Sequence, residues 1–505
     1  MVIFLRKAKI FLINGAILTL TTLFMRGIGL IFNIYISNKV GTEAIGIFSL
    51  IMSIYTFAIT IATSGIGIAC TYIVSEQFAK KDYLTGITAT KTCICFSILL
   101  SIVSAIIVFL IAPFASQNWL KSTVSNIPIY VIGIGLPFIA VSSVINGYFS
   151  SVGKSYKGAI SQIVEMLVKI ISTLILLHFN LSKGIEYICI SLILGDVISE
   201  AFSFTINIFF YLIDIRKYLN KRSSSLQMKK KIFKISFPIA ITSYIKSGLS
   251  SLKQFLIPIR LEMSGLSYSM AVSEYGLITG MVLPILMFAN VFFVSFSNLL
   301  VPEFSRLLAS KYYKRMKDVC NKIFKAASLF CICMTGIFFF FSNELSLSIY
   351  QNLDAAPMIK LLAPLVFFMY LDNIIDNILK GINEQTNVMF CNILDLVITI
   401  AIIYFVVPHL GIIGYILSIF VSELLNFTVS LLQLKSKIKY YINPFKFIIF
   451  PLIACFVAYI FILLLPIHPS SILIETILKI SIFIFIYIIL IQLKIKFLNN
   501  LKKRF

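Results

Sequence analysis

The chain is a succession of apolar runs of about 20 residues or more, separated by short breaks that hold Gly, Pro, Asn and Lys. About 20 apolar residues in a helix cross the hydrocarbon core of a bilayer. The runs are continuously apolar rather than alternating, which selects helices over a barrel. Fourteen can be traced, at 10–37, 46–75, 92–114, 126–150, 158–179, 185–213, 235–259, 274–301, 323–342, 357–380, 388–408, 411–434, 445–466 and 472–493. The predicted class is an all-α integral membrane protein of about 14 transmembrane helices. Charged residues make up only 12% of the 505, about half the share usual in soluble domains, which cannot coat several globular cores.

The net charge of +23 would suggest nucleic acid in a soluble protein. Here position decides. The N-terminal tail and every second loop hold 33 of the 43 Lys and Arg, the intervening loops hold 6, and Arg26, Lys169, Lys246 and Lys253 lie inside spans. The positive-inside rule then puts both termini in the cytoplasm and makes the number of spans even. The partner of this charge is the bilayer, not nucleic acid. Arg6, Lys7 and Lys9 precede a run too long for a signal-peptide core and without a cleavage site, so the first run is read as an uncleaved membrane helix.

Two halves are legible. Gly46 matches Gly276, Ser75 matches Ser305 and Glu165 matches Asp395, each at an offset of 230. Ser199-Glu200 matches Ser422-Glu423 at an offset of 223. These matches pair spans two with eight, five with eleven and six with twelve. Six spans per half is even, so the halves are parallel repeats, an arrangement that transporters use with the substrate site between the halves. The expected layout is a lobe at 1–213, a basic cytoplasmic linker at 214–234, a second lobe at 235–440, and two further spans with a tail at 441–505.

An ionisable residue inside a membrane costs several kcal/mol and therefore faces a cavity or a partner. Lys246, Lys253 and Arg260 are spaced by seven, which returns them to nearly one helical face. Arg26 sits mid-span, near Gly27 and Gly29. The acids are Glu165, Asp196, Glu200, Asp372, Asp376, Asp395 and Glu423. Glu165 with Lys169, and Asp376 with Lys380, have the i,i+4 spacing of ion pairs. The cations can neutralise these acids, or they can hold an anionic headgroup such as a pyrophosphate. The acids can carry a coupling H⁺ or Na⁺. Pro238 and Pro258 bracket the seventh run, and Pro284 and Pro302 punctuate the eighth, where kinks are expected.

Enzyme chemistry finds no support. His178, His409 and His468 are scattered near span ends, no sizeable soluble loop carries clustered acids, and the nine cysteines lack zinc spacing. No cofactor or metal site is expected.

RGIGLIFNIYISNKVGTEAIGIFSL, beginning at Arg26, resembles the opening of the multidrug/oligosaccharidyl-lipid/polysaccharide (MOP) exporter superfamily, in which an Arg-x-x-Gly leads through the first helix to a Gly-containing turn. SGIGIACTYIVSEQFAKKDY, INGYFSSVGK, ISQIVEMLVKI, GIEYICISLILGDVISE and EYGLITGMVLPILMFANVFFVSFSNLLVPEFSRLLA follow in order, and the series is similar to the stage V sporulation protein B-like branch, near the lipid II flippases. The resemblance implies a flippase of the bacterial cytoplasmic membrane. It would move an undecaprenyl-pyrophosphate-linked glycan or peptidoglycan precursor to the outer leaflet for spore cortex or wall synthesis, with wall-synthesis proteins as partners. It also implies that Arg26 lines a central cavity and that the last two spans hold the lipid tail. A multidrug or cation antiporter of the same superfamily and a non-transporting wall-synthesis scaffold are the alternatives.

The topology is directly testable. Green fluorescent protein fused after Phe505 will fluoresce, and alkaline phosphatase fused there will be inactive. The reverse pattern would place the C-terminus outside.

Overall fold

In lipid the backbone has no hydrogen-bonding partner but itself, so each apolar run closes its own ladder as a helix. The computed structural model describes residues 21, 23–63, 65–216, 226–291, 300–438, 448–465 and 471–504, and every element among them is helical. Residues 10–20 of the first expected span, 217–225 of the basic linker, 292–299 of the eighth expected span, and His468 lie outside the described residues.

The helices are α1 (residues 23–40), α2 (Thr42–Thr63), α3 (Ile66–Ala79), α4 (Tyr83–Phe114), α5 (Ile127–Ser151), α6 (Ser155–Asn180), α7 (Ile185–Ile215) and α8 (Leu226–Glu262). They continue as α9 (Tyr268–Gly276), α10 (Leu283–Phe288), α11 (Leu300–Ala309), α12 (Tyr313–Phe340), α13 (Ser342–Tyr350) and α14 (Ala356–Leu362). The last are α15 (Leu365–Gly381), α16 (Gln385–Leu410), α17 (Ile412–Ile438), α18 (Phe450–Leu463) and α19 (Ile472–Arg504). Among the described residues ten helices are long and apolar enough to span, with α2 and α3 counted as one. The pair α14 and α15, bent by 51°, makes up to eleven. The expected fourteen is not reached there. The seventh run folds as α8 but carries Ser, Lys and Gln through its middle, and α18 has only 14 residues.

Two compact units form, one of Met1–Phe32 with Val40–Gly276 and one of Asn33–Lys39 with Leu277–Phe505. The helix α8, expected to open the second half, belongs to the first unit. There it packs along α2: Ser251 Oγ donates to the Ser53 carbonyl at 2.9 Å, and Thr60 Oγ1 lies 3.1 Å from Ser247 Oγ.

The internal repeat reappears as repeated contacts. In the first unit α2 crosses α9 where the matched glycines meet. A Cβ on Gly276 would strike the Thr42 carbonyl and come within 2.9 Å of Gly46 Cα. In the same unit Ser151 Oγ on α5 donates to the Thr71 carbonyl on α3 at 2.9 Å. In the second unit a Cβ on Gly381 of α15 would sit 2.9 Å from the Val301 carbonyl on α11. Thr71 and Val301, like Ser151 and Gly381, differ by 230.

The ion pairs at the ends of these hairpins repeat with their signs exchanged. Lys154 and Lys157, before and in the first turn of α6, reach Asp214 at the end of α7 at 2.9 and 2.7 Å. Glu384, before α16, takes Lys437 at the end of α17 at 2.5 Å and the Asn387 amide at 2.5 Å. Lys154 and Glu384 differ by 230, and Asp214 and Lys437 by 223, the two offsets read in the sequence. The Lys437 ammonium holds the Glu384 carboxyl below its ordinary pKa.

The prolines act differently from expectation. The helix α8 runs unbroken through Pro238 and Pro258. The eighth run instead opens into a π-helical turn, Leu277–Val282, just before Pro284. Pro284 has no N–H to return to the Gly280 carbonyl. That carbonyl accepts from the buried Ser37 Oγ at 3.1 Å, and the next one, Met281, accepts from Tyr350 Oη at 2.8 Å.

Because Gly276 meets backbone rather than a movable side chain, Gly276→Val will destabilise the protein by about 2 kcal/mol. Thermal unfolding of the purified protein in detergent checks this. An unchanged midpoint would deny the close crossing.

Candidate functional site

Three helices of the first unit each turn one polar row toward a common cavity. The rows follow helical spacing: Ser142, Ser143 and Asn146 on α5; Gln162, Glu165 and Lys169 on α6; Asp196, Glu200 and Ser203 on α7. Arg26 and Gly29 on α1 complete the ring. The rows of α5 and α6, with Arg26, Gly29, Glu200 and Ser203, line a cavity of about 650 Å³. Asp196 lies behind it, bonded to Lys169.

A close approach makes this arrangement. Gly195 of α7 lies against Thr173 of α6, where a Cβ would collide with Thr173 Oγ1. Lys169, one turn before Thr173, then reaches Asp196, the residue after Gly195, and the two form an ion pair. This corrects the expected Glu165–Lys169 pair. The i,i+4 spacing does put both on the cavity face, but the ammonium turns to the more deeply buried acid on the neighbouring helix. A buried carboxylate is costly unless paired, and the Asp196 side chain is only 7% exposed.

The ring is incompletely satisfied. Among the described residues, Ser142 Oγ, Asn146 Oδ1 and Asp196 Oδ2 are buried without a hydrogen-bond partner. Such atoms call for water or a ligand. Arg26 and Lys169 face Glu165, Asp196 and Glu200, so the fully ionised set carries one negative charge in excess. The cavity can therefore take an anionic group at Arg26 and a proton or cation at the carboxylates.

The stripe Lys246, Lys253 and Arg260 does lie along one helix, α8. It points away from the face that α8 presents to α2, with Lys246 exposed and the other two half-buried. None of the three lines the Arg26 cavity. The structure therefore brings Arg26 together with acids, and the expected grouping of Arg26 with the stripe is not seen in that cavity.

The remaining acids lie in the second unit. Asp395 of α16 is buried and accepts from Ser422 Oγ of α17 at 2.9 Å and from Thr399 Oγ1 at 3.4 Å. Asp376 of α15 accepts from Ser430 Oγ at 3.3 Å. Asp372 Oδ1 is buried with no hydrogen-bond partner among the described residues. Glu423 is half-buried on α17. Asn373 and Asn377 of α15 donate to the carbonyls of Met369 and Asn373, one turn back. An apolar cavity of about 430 Å³ opens between α12, α15 and α17 and the chain at 448–452.

The family model described as "Polysaccharide biosynthesis protein" matches residues 11–308, more than half of the chain. The chain belongs to this family. A second model, MatE, matches residues 269–405. Stage V sporulation protein B of Bacillus subtilis (strain 168) is 25% identical over 460 residues, 87% of each chain. Lipid II flippase MurJ of the same organism is 24% identical over 76% of this chain and 75% of its own. A solved structure of lipid II flippase MurJ in an inward closed conformation has a TM-score of 0.68 at 16% identity, covering 95% of this chain and 98% of that one. An inward-facing multidrug resistance MATE family transporter of the MOP superfamily gives 0.62 at 14% identity, over 83% and 94%. These structures are alike in fold. As a member of the polysaccharide biosynthesis family, the chain is a multi-pass membrane protein with transporter and flippase relatives.

Sequence reading missed Ser142, Ser143, Asn146, Gln162 and Ser203. Their signal was the same i, i+3, i+4, i+7 spacing that marked the charged residues.

Removing one partner of the Lys169–Asp196 pair leaves a buried charge. Lys169→Met will cost about 3 kcal/mol, the low end for a buried pair because Lys169 keeps 34% of its side chain exposed. Lys169→Met with Asp196→Leu will recover most of that loss in the same unfolding measurement. Equal losses would mean that the pair is not what holds the two helices.

Proposed function

We propose that the chain is a flippase that carries an undecaprenyl-pyrophosphate-linked glycan or peptidoglycan precursor from the inner to the outer leaflet. The observation that carries this reading is the charged, hydroxyl- and amide-lined cavity around Arg26, inside a bundle whose outer surface is apolar. A lipid-linked glycan is itself split in this way, with an anionic polyol head on a hydrocarbon tail. The pyrophosphate is held at Arg26, while Lys246, Lys253 and Arg260 on α8, which do not line that cavity, offer it further cationic contacts elsewhere on its way; two six-helix lobes of a fourteen-span protein rock to move it. Ser142, Ser143, Asn146 and Gln162 offer hydrogen bonds to sugar hydroxyls. The apolar cavity near α12, α15 and α17 is of a kind to take the tail, in keeping with a tail-binding role for spans thirteen and fourteen. The acids Glu165, Asp196 and Glu200, and in the second unit Asp372, Asp376, Asp395 and Glu423, bind the coupling H⁺ or Na⁺.

The repeated contacts support the two-lobe reading, because equivalent helices pack alike in both halves. Likeness to Stage V sporulation protein B supports a role in sporulation; the role proposed is spore cortex or wall synthesis at the cytoplasmic membrane, beside wall-synthesis proteins. A second reading, export of an organic cation, is favoured by the excess of acids over cations around the cavity and by the MatE match.

The experiment is reconstitution into vesicles with fluorescent lipid-linked glycans, scoring which headgroup crosses. Lipid-linked glycans will cross, and Arg26→Ala will slow them about tenfold or more, the loss of one charge-assisted phosphate contact. Transport of a dye cation without lipid-linked glycan would favour the second reading. Full activity in Arg26→Ala, Lys246→Ala and Lys253→Ala alike would remove the cationic site.

A further inference from the structure

A second groove, of about 360 Å³, lies on different helices from the Arg26 cavity, between α3, α4 and α8. Its wall is made by side chains such as Phe96, Leu99, Phe233, Phe237 and Ile241. It holds no charged group, and its two hydroxyl residues are engaged: Ser236 Oγ donates to the Ile232 carbonyl and Tyr244 Oη to the Ile61 carbonyl. Phe233 and Phe237 stack at 5.0 Å yet remain 58% and 49% exposed. This is a slot for hydrocarbon, and no headgroup can be carried along it.

One end of the slot is basic. Lys230 and Lys234 each lie seven residues before a groove residue, Phe237 and Ile241, which puts them on the same face of α8 about 10 Å nearer its N-terminus. Both are exposed, and neither joins an ion pair among the described residues. At this end Glu76 is already committed to other lysines, and Asp82 to a helix cap. Glu76 takes Lys231 at 2.6 Å and Lys80 at 2.7 Å, and Asp82 caps α4 by accepting from the Thr85 N–H. Two unneutralised ammonium groups at the mouth of an apolar slot match a phosphate with an acyl chain below it.

We propose that this groove is a resident binding site for an anionic phospholipid of the leaflet at the basic end of α8. The acyl chain lies between Phe96, Leu99 and Phe237, and the phosphodiester sits at Lys230 and Lys234. A zwitterionic headgroup gains less there, because Lys230 and Lys234 repel its ammonium and Glu76 is already paired with Lys231 and Lys80. The site is separate from the transported lipid's path, since its wall has no charged group and its two hydroxyls are already bonded, leaving nothing along which a head could move.

The test is native mass spectrometry of the full-length protein released from vesicles of phosphatidylcholine with an equal share of phosphatidylglycerol of the same chains. Wild type will retain phosphatidylglycerol preferentially. Lys230→Gln with Lys234→Gln will weaken that retention about thirtyfold, the effect of two lysines near the surface. Ile241→Trp, which fills the slot, will reduce retention while leaving the lysines in place, so the test survives if the double variant does not fold. Lys314→Gln with Lys317→Gln, a basic pair on α12, will change nothing. Undiminished phosphatidylglycerol in Ile241→Trp and in the Lys230/Lys234 variant would overturn the site. An equal loss in the Lys314/Lys317 variant would do the same, as it would mean only a general surface attraction.

Discussion

The first unit depends on one contact between two helices. Where Gly195 meets Thr173, α7 comes close enough to α6 for Lys169 to reach Asp196. A carboxylate as buried as Asp196 is stable in a membrane only with such a partner. Once Lys169 is committed to it, Glu165 and Glu200 are left facing the cavity, opposite Arg26. The charge balance of the site therefore follows from the missing side chain of a single glycine.

The same economy appears at the level of the whole chain. Equivalent helices use equivalent carbonyls for packing, at Thr71 and at Val301, and equivalent ends for ion pairs, at Lys154 and at Glu384. The sign of the pair has been exchanged while its place has been kept. In the second unit, Glu384 before α16 and Lys437 in the last turn of α17 suit the dipoles of their helices. In the first unit the signs oppose those dipoles, and two lysines converge on one aspartate. Geometry was retained between the repeats and charge was free to vary.

Much of this was legible in the sequence because membrane helices announce themselves by length and hydropathy. The expected run at 126–150 became Ile127–Ser151, and that at 472–493 became the spanning part of α19. The 230 offset marked Gly46 and Gly276, which the fold then brings together. Partners were less legible. Spacing along one helix places Glu165 and Lys169 on one face, but it carries no information about the neighbouring helix, where Asp196 competes for the lysine. The π-helical opening before Pro284 was hidden for a similar reason. How a helix passes a proline depends on what satisfies the freed carbonyl, as Ser37 does for Gly280, and that donor lies 243 residues away.

The central claim is that the charged cavity of the first unit receives the headgroup of a lipid-linked glycan. The most direct measurement places a photo-crosslinking residue at Gln162, on the cavity wall, in the protein reconstituted with an undecaprenyl-pyrophosphate-linked glycan. The account predicts a crosslinked adduct with the mass of the lipid-linked glycan, lost when unlabelled glycan lipid competes, and none from the same probe at the lipid-facing Phe405. No adduct at Gln162, with transport intact, would contradict it.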